Sequence, residues 1–381
     1  MAKERLFLGL YSGPSADGVD AVLASITGKG LRMKAKAQHH LYRALPDDVR
    51  KRIRKLTGGG REDAADIAEL DRDVALAFAD AAHALLRHTK HSSEPFLAIG
   101  SSGQTIALVP SDKDKPIGGV IELGLPPLIA QKTHLPVISH FIQSDLAAGG
   151  VGSPLTAWPD WLLFRDKKLS RVIVHLGGIT EMAFIGSDAH PEDVVAMDVG
   201  PGTAVLDTLA EKDFGLPFDS DGALAARGTI NSQLLNELLA HPYFRRKAPK
   251  SCPPVEWGDA YIWRLTHMAS KRRCEGANLL ATFCELIAKT ISNAVATMTE
   301  RPHQVVLSGG GARNILLAAR IRALLSPSST IAASKFDLNV RAKQALCYAI
   351  LAAARIDGFA AHTPRATGAK NAVVLGTMAL P

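Results

Sequence analysis

A carboxylate followed by a glycine-rich turn is the clearest chemical feature of the sequence. Residues 194–199 form an apolar run rich in β-branched residues, which predicts a buried strand. Asp198 lies near the end of this run, and Gly200-Pro-Gly202 follows it. This order places an acid at the mouth of a cleft, where a phosphate or sugar can approach the backbone closely. The alternative is an aspartate that only begins a tight turn.

A second glycine-rich segment links two strands near the start of the chain. Strands predicted at Arg5–Tyr11 and Val19–Ile26 flank the loop Ser12-Gly-Pro-Ser-Ala-Asp-Gly18. A hairpin loop of this composition exposes many backbone N–H groups and can surround an anion. An ordinary Gly/Ser/Asp turn is the alternative.

Two further strands also end in glycines. Gly177-Gly178 follows the predicted strand 171–176, and Gly309-Gly-Gly311 follows the strand 304–308 at the start of a helix. The first turn supplies N–H groups to a phosphate chain, and the second gives an adenosine a flat backbone surface. Phosphoryl transfer needs such donors, a metal and a carboxylate near the acceptor hydroxyl. Neither a Walker pattern nor G-x-G-x-x-G occurs in this arrangement, which argues against P-loop and Rossmann binding.

Length and composition describe an ordinary globular protein. A chain of 381 residues with 47% hydrophobic and 21% charged residues predicts two domains, and strand–glycine–strand signals in each half suggest related α/β domains facing a cleft. We place their boundary at 155/156, with domains 1–155 and 156–381. No run reaches the roughly 20 uncharged apolar residues of a membrane helix. The N-terminus has no signal-peptide layout, and the spacing of four cysteines favours the reducing cytoplasm.

The net charge of +7 comes from clusters of basic residues, at 50–55, 245–247 and 271–273. Solvated helix faces are the simplest interpretation, and attraction of a phosphorylated ligand is the second. Nucleic-acid binding is disfavoured because aromatics make up only 6% of the chain.

The order of these motifs resembles the anhydro-N-acetylmuramic acid kinase family over nearly the whole chain. Ser12-Gly-Pro-Ser-Ala-Asp-Gly-Val-Asp20 is similar to the family's Ser-Gly-Thr-Ser-x-Asp-Gly-x-Asp. Asp198-Val-Gly-Pro-Gly202 is similar to its Asp-Thr-Gly-Pro-Gly. Further matching segments are Ser102–Thr105, Gly149–Leu155, Leu176–Ile179, Pro242–Phe244, Pro249–Ser251, Gly309–Asn314 and Thr367–Ala369.

The resemblance implies the two-domain fold of the sugar kinase, heat-shock ATPase and actin superfamily, with a central cleft closing over ATP and Mg²⁺. It implies a homodimer that hydrolyses the 1,6-anhydro bridge of a small sugar and phosphorylates O6. Asp198 would be the general base, ionised at neutral pH, and Asp17 and Asp20 would organise the metal.

The residues implied to bind nucleotide are Ser12, Gly13, Pro14, Ser15, Ala16, Asp17, Gly18, Val19, Asp20, Gly177, Gly178, Gly200, Gly202, Gly309, Gly310, Gly311 and Asn314. Those implied to bind the sugar are Gln104, Thr105, Glu122 and Gln344.

Departures from the family pattern gather where the sugar should bind. Ile142 replaces an arginine suited to a lactyl carboxylate, Gln344 a carboxylate, Leu125 an aspartate and Ser102 a histidine. Pro14 replaces a threonine and removes one N–H donor from the phosphate loop. These changes predict an altered sugar pocket that accepts a neutral anhydrosugar such as levoglucosan, which related kinases accept. The rival hypothesis is a sugar- or nucleotide-binding homologue with little or no turnover.

Overall fold

The protein contains two main β-sheets and a separate hairpin. The computed structural model describes residues 3–88 and 95–381. Its strands are β1 (Arg5–Tyr11), β2 (Gly18–Thr27), β3 (Lys34–Ala44), β4 (Phe96–Ser101), β5 (Gln104–Val109), β6 (Gly119–Leu123), β7 (Val137–Ser139), β8 (Arg171–Leu176), β9 (Ile179–Ile185), β10 (Val195–Pro201), β11 (Gln304–Ser308), β12 (Ser329–Ala332) and β13 (Thr377–Ala379).

Helices cover both faces of the sheets. They are α1 (Asp47–Thr57), α2 (Ala64–His88), α3 (Pro126–Thr133), α4 (Phe141–Ala147), α5 (Ala157–Phe164), α6 (Thr203–Phe214), α7 (Ser232–Leu239), α8 (Asp259–Lys271), α9 (Ala277–Val295), α10 (Ile315–Leu325), α11 (Ala342–Ile356) and α12 (Pro364–Thr367). No helix in the described part of the chain combines the length and apolarity needed to cross a membrane.

The two sheets repeat one topology. The first has the order β13-β7-β4-β1-β2-β3 and the second β10-β9-β8-β11-β12, while β5 and β6 pair with each other. In each sheet three consecutive strands form an antiparallel meander, and two later strands add in parallel beside its first strand. This duplication confirms the predicted α/β fold with two related halves.

The C-terminal part of the chain returns to the first sheet. β13 pairs antiparallel with β7, at the edge of the sheet formed by the N-terminal half. The boundary at 155/156 places residues 377–379 in the second domain. A division of the chain by sheet instead assigns them to the first domain. The cut at 155/156 itself stays a prediction.

Alternating side chains build three connected cores. On β2, Val19, Ala21 and Leu23 pack toward α1, α2 and α3, whereas Val22 and Ala24 pack toward α11 and α5. The latter core also holds Ile173 of the second sheet, so α11 and α5 lie between the two sheets. The other face of the second sheet packs on the remaining large helices, α6 to α10.

Glycines allow α11 to approach the first sheet closely. A Cβ on Gly9 would collide with the carbonyl of Ala345, and one on Gly100 with that of Tyr348. This approach carries Gln344 and Tyr348 to the edge of the cleft between the halves.

Candidate active site

Asp198 lies near the end of β10, buried and held at both carboxylate oxygens. Its Oδ1 accepts a hydrogen bond from Ser153 Oγ at 2.9 Å, and Oδ2 accepts one from the backbone N–H of Cys252 at 2.7 Å. Only 2% of the residue is exposed. The Tyr243 hydroxyl donates to the Asp198 carbonyl at 2.8 Å, which fixes the strand end. The acid is therefore rigid, as its position at a strand end predicted.

Two loops supply these donors, and polar contacts tie them together. The Ser251 hydroxyl donates to the Val151 carbonyl at 2.7 Å. The Gly152 N–H donates to Asp145 Oδ2 at 2.7 Å, and Asp145 Oδ1 is bonded to His362 Nε2 at the same distance. The loop that carries Ser153 is therefore fixed both by Ser251 and by Asp145, so the Ser153 hydroxyl is held toward Asp198 in one geometry.

A second carboxylate, which sequence reasoning missed, stands beside Asp198. Glu181 on β9 is its direct cross-strand neighbour, and both line one pocket. Gln344 Nε2 donates to Glu181 Oε2 at 2.8 Å. The only signal in the sequence was the hairpin Gly177–Ile185, whose register sets Glu181 opposite the β10 acid.

Burial changes the ionisation of this pocket. Burial away from water, followed by the nearby charge of Glu181, raises the pKa of Asp198 to about 8. The N–H of Cys252 and the Ser153 hydroxyl oppose this shift, because their hydrogen bonds favour the charged form. Burial also raises the pKa of Glu181. The expectation that Asp198 is ionised at neutral pH stays a prediction: burial beside another acid opposes the charge, and the two hydrogen-bond donors favour it.

Hydrogen bonds from Ser12 fix the start of the N-terminal hairpin loop, and several backbone N–H groups of the loop have no partner in the described part of the chain. Ser12 Oγ donates to Gln104 Oε1 at 2.7 Å, and the Ser12 N–H donates to Ser102 Oγ at 3.1 Å. The N–H groups of Gly13, Ser15 and Asp17 find no hydrogen-bond partner within residues 3–88 and 95–381. Three donors thus remain for an anion despite Pro14, which has none.

The loop meets the Gly177-Gly178 turn across the cleft. A Cβ on Gly178 would lie 2.6 Å from Ser15 N. The shared cleft has a volume of about 540 Å³ and also includes Gly309, Gly310 and Gly311. The structure therefore brings together the three glycine turns predicted from sequence.

Both cations and acids line this cleft. Arg50 and Arg54 are among them, as are Arg313 and Arg341, together with six of the described aspartates. The first two belong to a basic cluster whose simplest interpretation was a solvated helix face. Both interpretations of that cluster stay open, because Arg50 is paired with Asp47 and Arg54 with Glu211.

Asp17 and Asp20 are both partnered by Arg341. The guanidinium donates to Asp20 Oδ1 and Oδ2 at 3.2 and 3.3 Å and lies 3.5 Å from Asp17 Oδ2. His40 Nε2 is also 2.8 Å from Asp20 Oδ1. Asp207, which the sequence did not single out, faces the same cleft, and burial raises its pKa to about 8.

The glycine turn on the second half is a structured helix start. Asn314 Oδ1 accepts the N–H of Leu317 at 2.9 Å and caps α10. Its side chain is therefore committed to the helix, although the residue lines the cleft. A Cβ on Gly310 would meet no atom within 4 Å, so a ligand has room there.

Some predicted nucleotide residues act from behind the cleft. Gly200 packs against Phe244, and the Gly202 N–H donates to the Gly178 carbonyl at 3.0 Å. Ala16 and Val19 are buried in the first core. None of these four lines the glycine-lined cleft or the Asp198 pocket. They support the turns rather than face a ligand, because the sequence motif does not distinguish contact from support.

The predicted sugar residues divide in the same way. Gln104, Thr105 and Gln344 line the pocket that holds Asp198, whereas Glu122 does not. Glu122 Oε2 is buried without a partner among the described residues, and burial raises its pKa to about 8. Tyr11 and Gly13 line both pockets, so the two sites adjoin.

The fold and site define a two-part α/β protein in which a glycine-lined cleft adjoins a carboxylate pocket. The family model described as "Anhydro-N-acetylmuramic acid kinase" matches residues 5–381. The chain belongs to the anhydro-N-acetylmuramic acid kinase family.

Similar proteins extend over the whole chain. Anhydro-N-acetylmuramic acid kinase of Gloeobacter violaceus is 36% identical over 372 residues, 97% of each chain. That of Salinibacter ruber is 32% identical over 384 residues, covering 99% of this chain and 96% of the relative. Among solved structures, the activator of 2-hydroxyisocaproyl-CoA dehydratase from Clostridium difficile aligns with a TM-score of 0.48 at 12% identity, covering 92% of this chain and 96% of the other.

Proposed function

We propose that this protein is an ATP-dependent kinase that hydrolyses the 1,6-anhydro bridge of a sugar and phosphorylates its O6. Membership of the family and the names of its relatives support the activity. The observation that carries the proposal is the position of Asp198, fixed by Ser153 and Cys252 in a pocket that adjoins the anion cleft through Tyr11 and Gly13.

In this reaction Asp198 accepts a proton from the water that attacks the anomeric carbon. The bond from that carbon to O6 breaks, and O6 takes the terminal phosphoryl group of ATP. The buried carboxylate is suited to this step, because a base works best when its pKa is close to the working pH. The free N–H groups of Gly13, Ser15 and Asp17 hold phosphate oxygens, and the Gly309–Gly311 turn holds the adenosine.

The acids at the cleft fit a magnesium ion that is bound mainly by phosphate and water. Mg²⁺ usually takes one or two protein carboxylates and keeps several waters. Asp17 is the more exposed acid and lies at 3.5 Å from Arg341, whereas Asp20 is held by Arg341 and His40. No group of three or more His, Cys, Asp or Glu side chains within the described ranges is arranged to hold a metal alone. We therefore assign the protein ligand to Asp17, and the ion supplies charge neutralisation at the phosphates.

The substrate we propose is a neutral anhydrosugar. The described residues that line the Asp198 pocket include two carboxylates and no Lys, Arg or His, and Ile142 lies there with Leu108 and Leu155. A sugar acid would bring a further negative charge beside the two acids without a cation to pair with it, which is unfavourable in a buried pocket. A neutral sugar such as levoglucosan avoids this cost.

The second candidate is a binding protein on the same scaffold with little turnover. The partnering of Asp17 and Asp20 by Arg341 favours it, because those acids already have a counter-ion. The two candidates share the fold and differ in chemistry alone.

An ADP-release assay with a panel of neutral and acidic anhydrosugars distinguishes them. The kinase proposal predicts sugar-dependent ADP and a product heavier than the sugar by one water and one phosphoryl group. A neutral sugar should give the higher kcat/KM. ADP release that no sugar stimulates supports the binding protein.

We further propose a homodimer in the reducing cytoplasm, with domains 1–155 and 156–381. The free, buried state of Cys252, Cys274, Cys284 and Cys347 supports the compartment. Nucleic acid and membrane are not proposed partners, because part of the basic charge faces the anion cleft.

A further inference from the structure

The sugar pocket contains two acids and an amide whose arrangement the family resemblance did not predict. Asp198 and Glu181 face each other across the β9–β10 ladder. Side chains directly opposite on antiparallel strands have Cβ atoms about 5 Å apart. Two carboxylates at such a distance in a buried pocket cannot both be charged without a large penalty.

No cation in the described part of the pocket lining relieves this penalty. Lys343 is the nearest to Glu181, but its ammonium is bonded to Asp160 at 2.9 and 3.1 Å. Lys250 lies near Asp198 with its ammonium 4.5 Å from the centre of the Tyr243 ring. Both lysines stand outside the pocket, so the pair itself has to hold a proton.

The other groups that face the pair do not supply a charge of their own. Cys252 and Tyr243 face Asp198, and burial raises the pKa of each, so both are neutral. Tyr11 and Tyr348 face Glu181 and are neutral for the same reason. His175, the other cross-strand neighbour of Glu181, is buried with its pKa well below the usual value, and Cys347 is a buried neutral thiol.

Hydrogen bonds decide which acid holds the proton. Asp198 accepts from two donors, Ser153 Oγ and the Cys252 N–H. Glu181 accepts from one, Gln344 Nε2. Because each donor stabilises the charged form, the negative charge is better placed on Asp198 and the proton on Glu181.

We propose that Glu181 and Asp198 act as one carboxylate pair with a single proton, in which Glu181 holds that proton and leaves Asp198 ionised to accept another from water. Glu181 is therefore a positioning residue for the reaction put forward under Proposed function, on which this inference rests. During attack, an O–H bond of water breaks and its proton goes to Asp198 Oδ, while Glu181 keeps its own proton.

Gln344 has two roles in this arrangement. Its Nε2 fixes Glu181, and its Oε1 is buried with no hydrogen-bond partner in the described ranges. With 1% of the residue exposed and the side chain in the pocket lining, the free oxygen is an acceptor for a hydroxyl or N–H of the sugar. The family resemblance implies a carboxylate at position 344 on α11. This chain has an amide there, and its carboxylate, Glu181, lies on the facing strand β9.

The test is a pH titration of the two acids, monitored by ¹³C NMR of carboxyl-labelled protein without substrate. Comparison with Glu181→Gln and Asp198→Asn assigns the two resonances. The proposal predicts that near pH 7 Glu181 is protonated and Asp198 is charged. In Asp198→Asn the titration of Glu181 moves to lower pH by at least about one unit, because its charged neighbour is gone, whereas in Glu181→Gln the titration of Asp198 stays in place, because a neutral amide replaces a neutral carboxyl. An unchanged Glu181 titration in Asp198→Asn, or a Glu181 fully charged at pH 7, overturns the proposal.

The pH–rate profile gives a second readout once a substrate is known. In Glu181→Gln the basic limb should move to higher pH, because the amide has no proton to lose, and in Gln344→Glu the acidic limb should move to higher pH, because a third acid joins the pair. Glu192→Gln, at an exposed acid in the loop before β10, is the matched control and should leave both limbs in place. A protein that shows the NMR shift but no turnover contradicts the kinase proposal alone, whereas turnover with an unshifted limb contradicts the pair alone.

Discussion

Gly178 and Ser15 touch across the cleft: a Cβ on Gly178 would lie 2.6 Å from the Ser15 backbone nitrogen. The hairpin loop Ser12–Gly18 of one half therefore rests on the Gly177–Gly178 turn of the other, and the width of the cleft depends on this contact.

Gly178→Ala should weaken nucleotide binding by displacing the loop. Backbone atoms cannot move aside as a flexible side chain does, so we expect the Kd for Mg-ATP to rise at least about tenfold, or about 1.4 kcal/mol. Isothermal titration calorimetry measures this change.

Gly310→Ala is the matched variant, because its Cβ meets no protein atom within 4 Å. It should leave the melting temperature unchanged and weaken Mg-ATP only if nucleotide fills that space. Wild-type affinity for Mg-ATP in both variants would show that the nucleotide does not bind in this cleft.

Gln104→Ala should loosen the phosphate loop without touching the ligand. It leaves the buried Ser12 hydroxyl without its acceptor and removes from the Gly13 carbonyl the second of its two donors, at 3.4 Å. An unsatisfied buried group costs about 1–3 kcal/mol, so both the stability to urea and the affinity for nucleotide should fall. Gln143→Ala, on an exposed face of α4, should change neither. A loss of stability with unaltered nucleotide affinity would show that the loop does not bind phosphate.

The stability of the protein should fall as the pH rises from about 4 to 8. Burial raises the pKa of Glu122 and Asp207 to about 8, and the Glu181–Asp198 pair holds one proton, so the folded state keeps protons that the unfolded chain loses near pH 4. Since the unfolded state then binds fewer protons, the free energy of unfolding decreases by up to about 1.4 kcal/mol per pH unit for each such group.

Asp198→Asn should flatten this dependence, because Glu181 then has no charged neighbour and gives up its proton at lower pH, while the amide can still accept from the Cys252 N–H. Urea unfolding at pH 5, 6, 7 and 8 measures the slope. Asp114→Asn, at an exposed acid, is the control. A slope in Asp198→Asn equal to that of the wild type would show that the pair does not hold a proton in this pH range.

Lys343→Met should destabilise the core between the sheets. The ammonium is 1% exposed and bonded to both oxygens of Asp160, which is also buried. Removing one partner leaves an uncompensated buried charge and costs about 3–5 kcal/mol. Lys335→Met, at an exposed lysine, should stay within about 0.5 kcal/mol of the wild type.

The double variant Lys343→Met/Asp160→Asn tests the cause. It should recover part of the lost stability, because the orphaned acid is gone. If the double variant is less stable than Lys343→Met, lost packing rather than lost pairing explains the effect.

Much of the fold follows from sequence periodicity. The strands predicted at 5–11, 171–176 and 304–308 are confirmed with the same first and last residues. β3 was not predicted, because Lys34–Ala44 is a mostly exposed edge strand without a hydrophobic alternation.

The site was less predictable, because its parts come from distant segments. Each glycine turn was visible from the strand that precedes it, and so was Asp198. Glu181 and Arg341 were not, since their roles depend on strand register and on a salt bridge that spans more than 300 residues. Gly200 and Gly202 support the turns and belong to the same kind of glycine motif as the glycines that line the cleft. Only their packing in the folded protein distinguishes the two groups.

The most direct test of the central claim is the sugar-dependent release of ADP by Asp198→Asn. The variant keeps the shape of the side chain and removes the base, so kcat should fall at least about 100-fold, while calorimetry finds the affinity for Mg-ATP within about twofold of the wild type. A variant that retains a tenth or more of the wild-type kcat would contradict the assignment of Asp198 as the base.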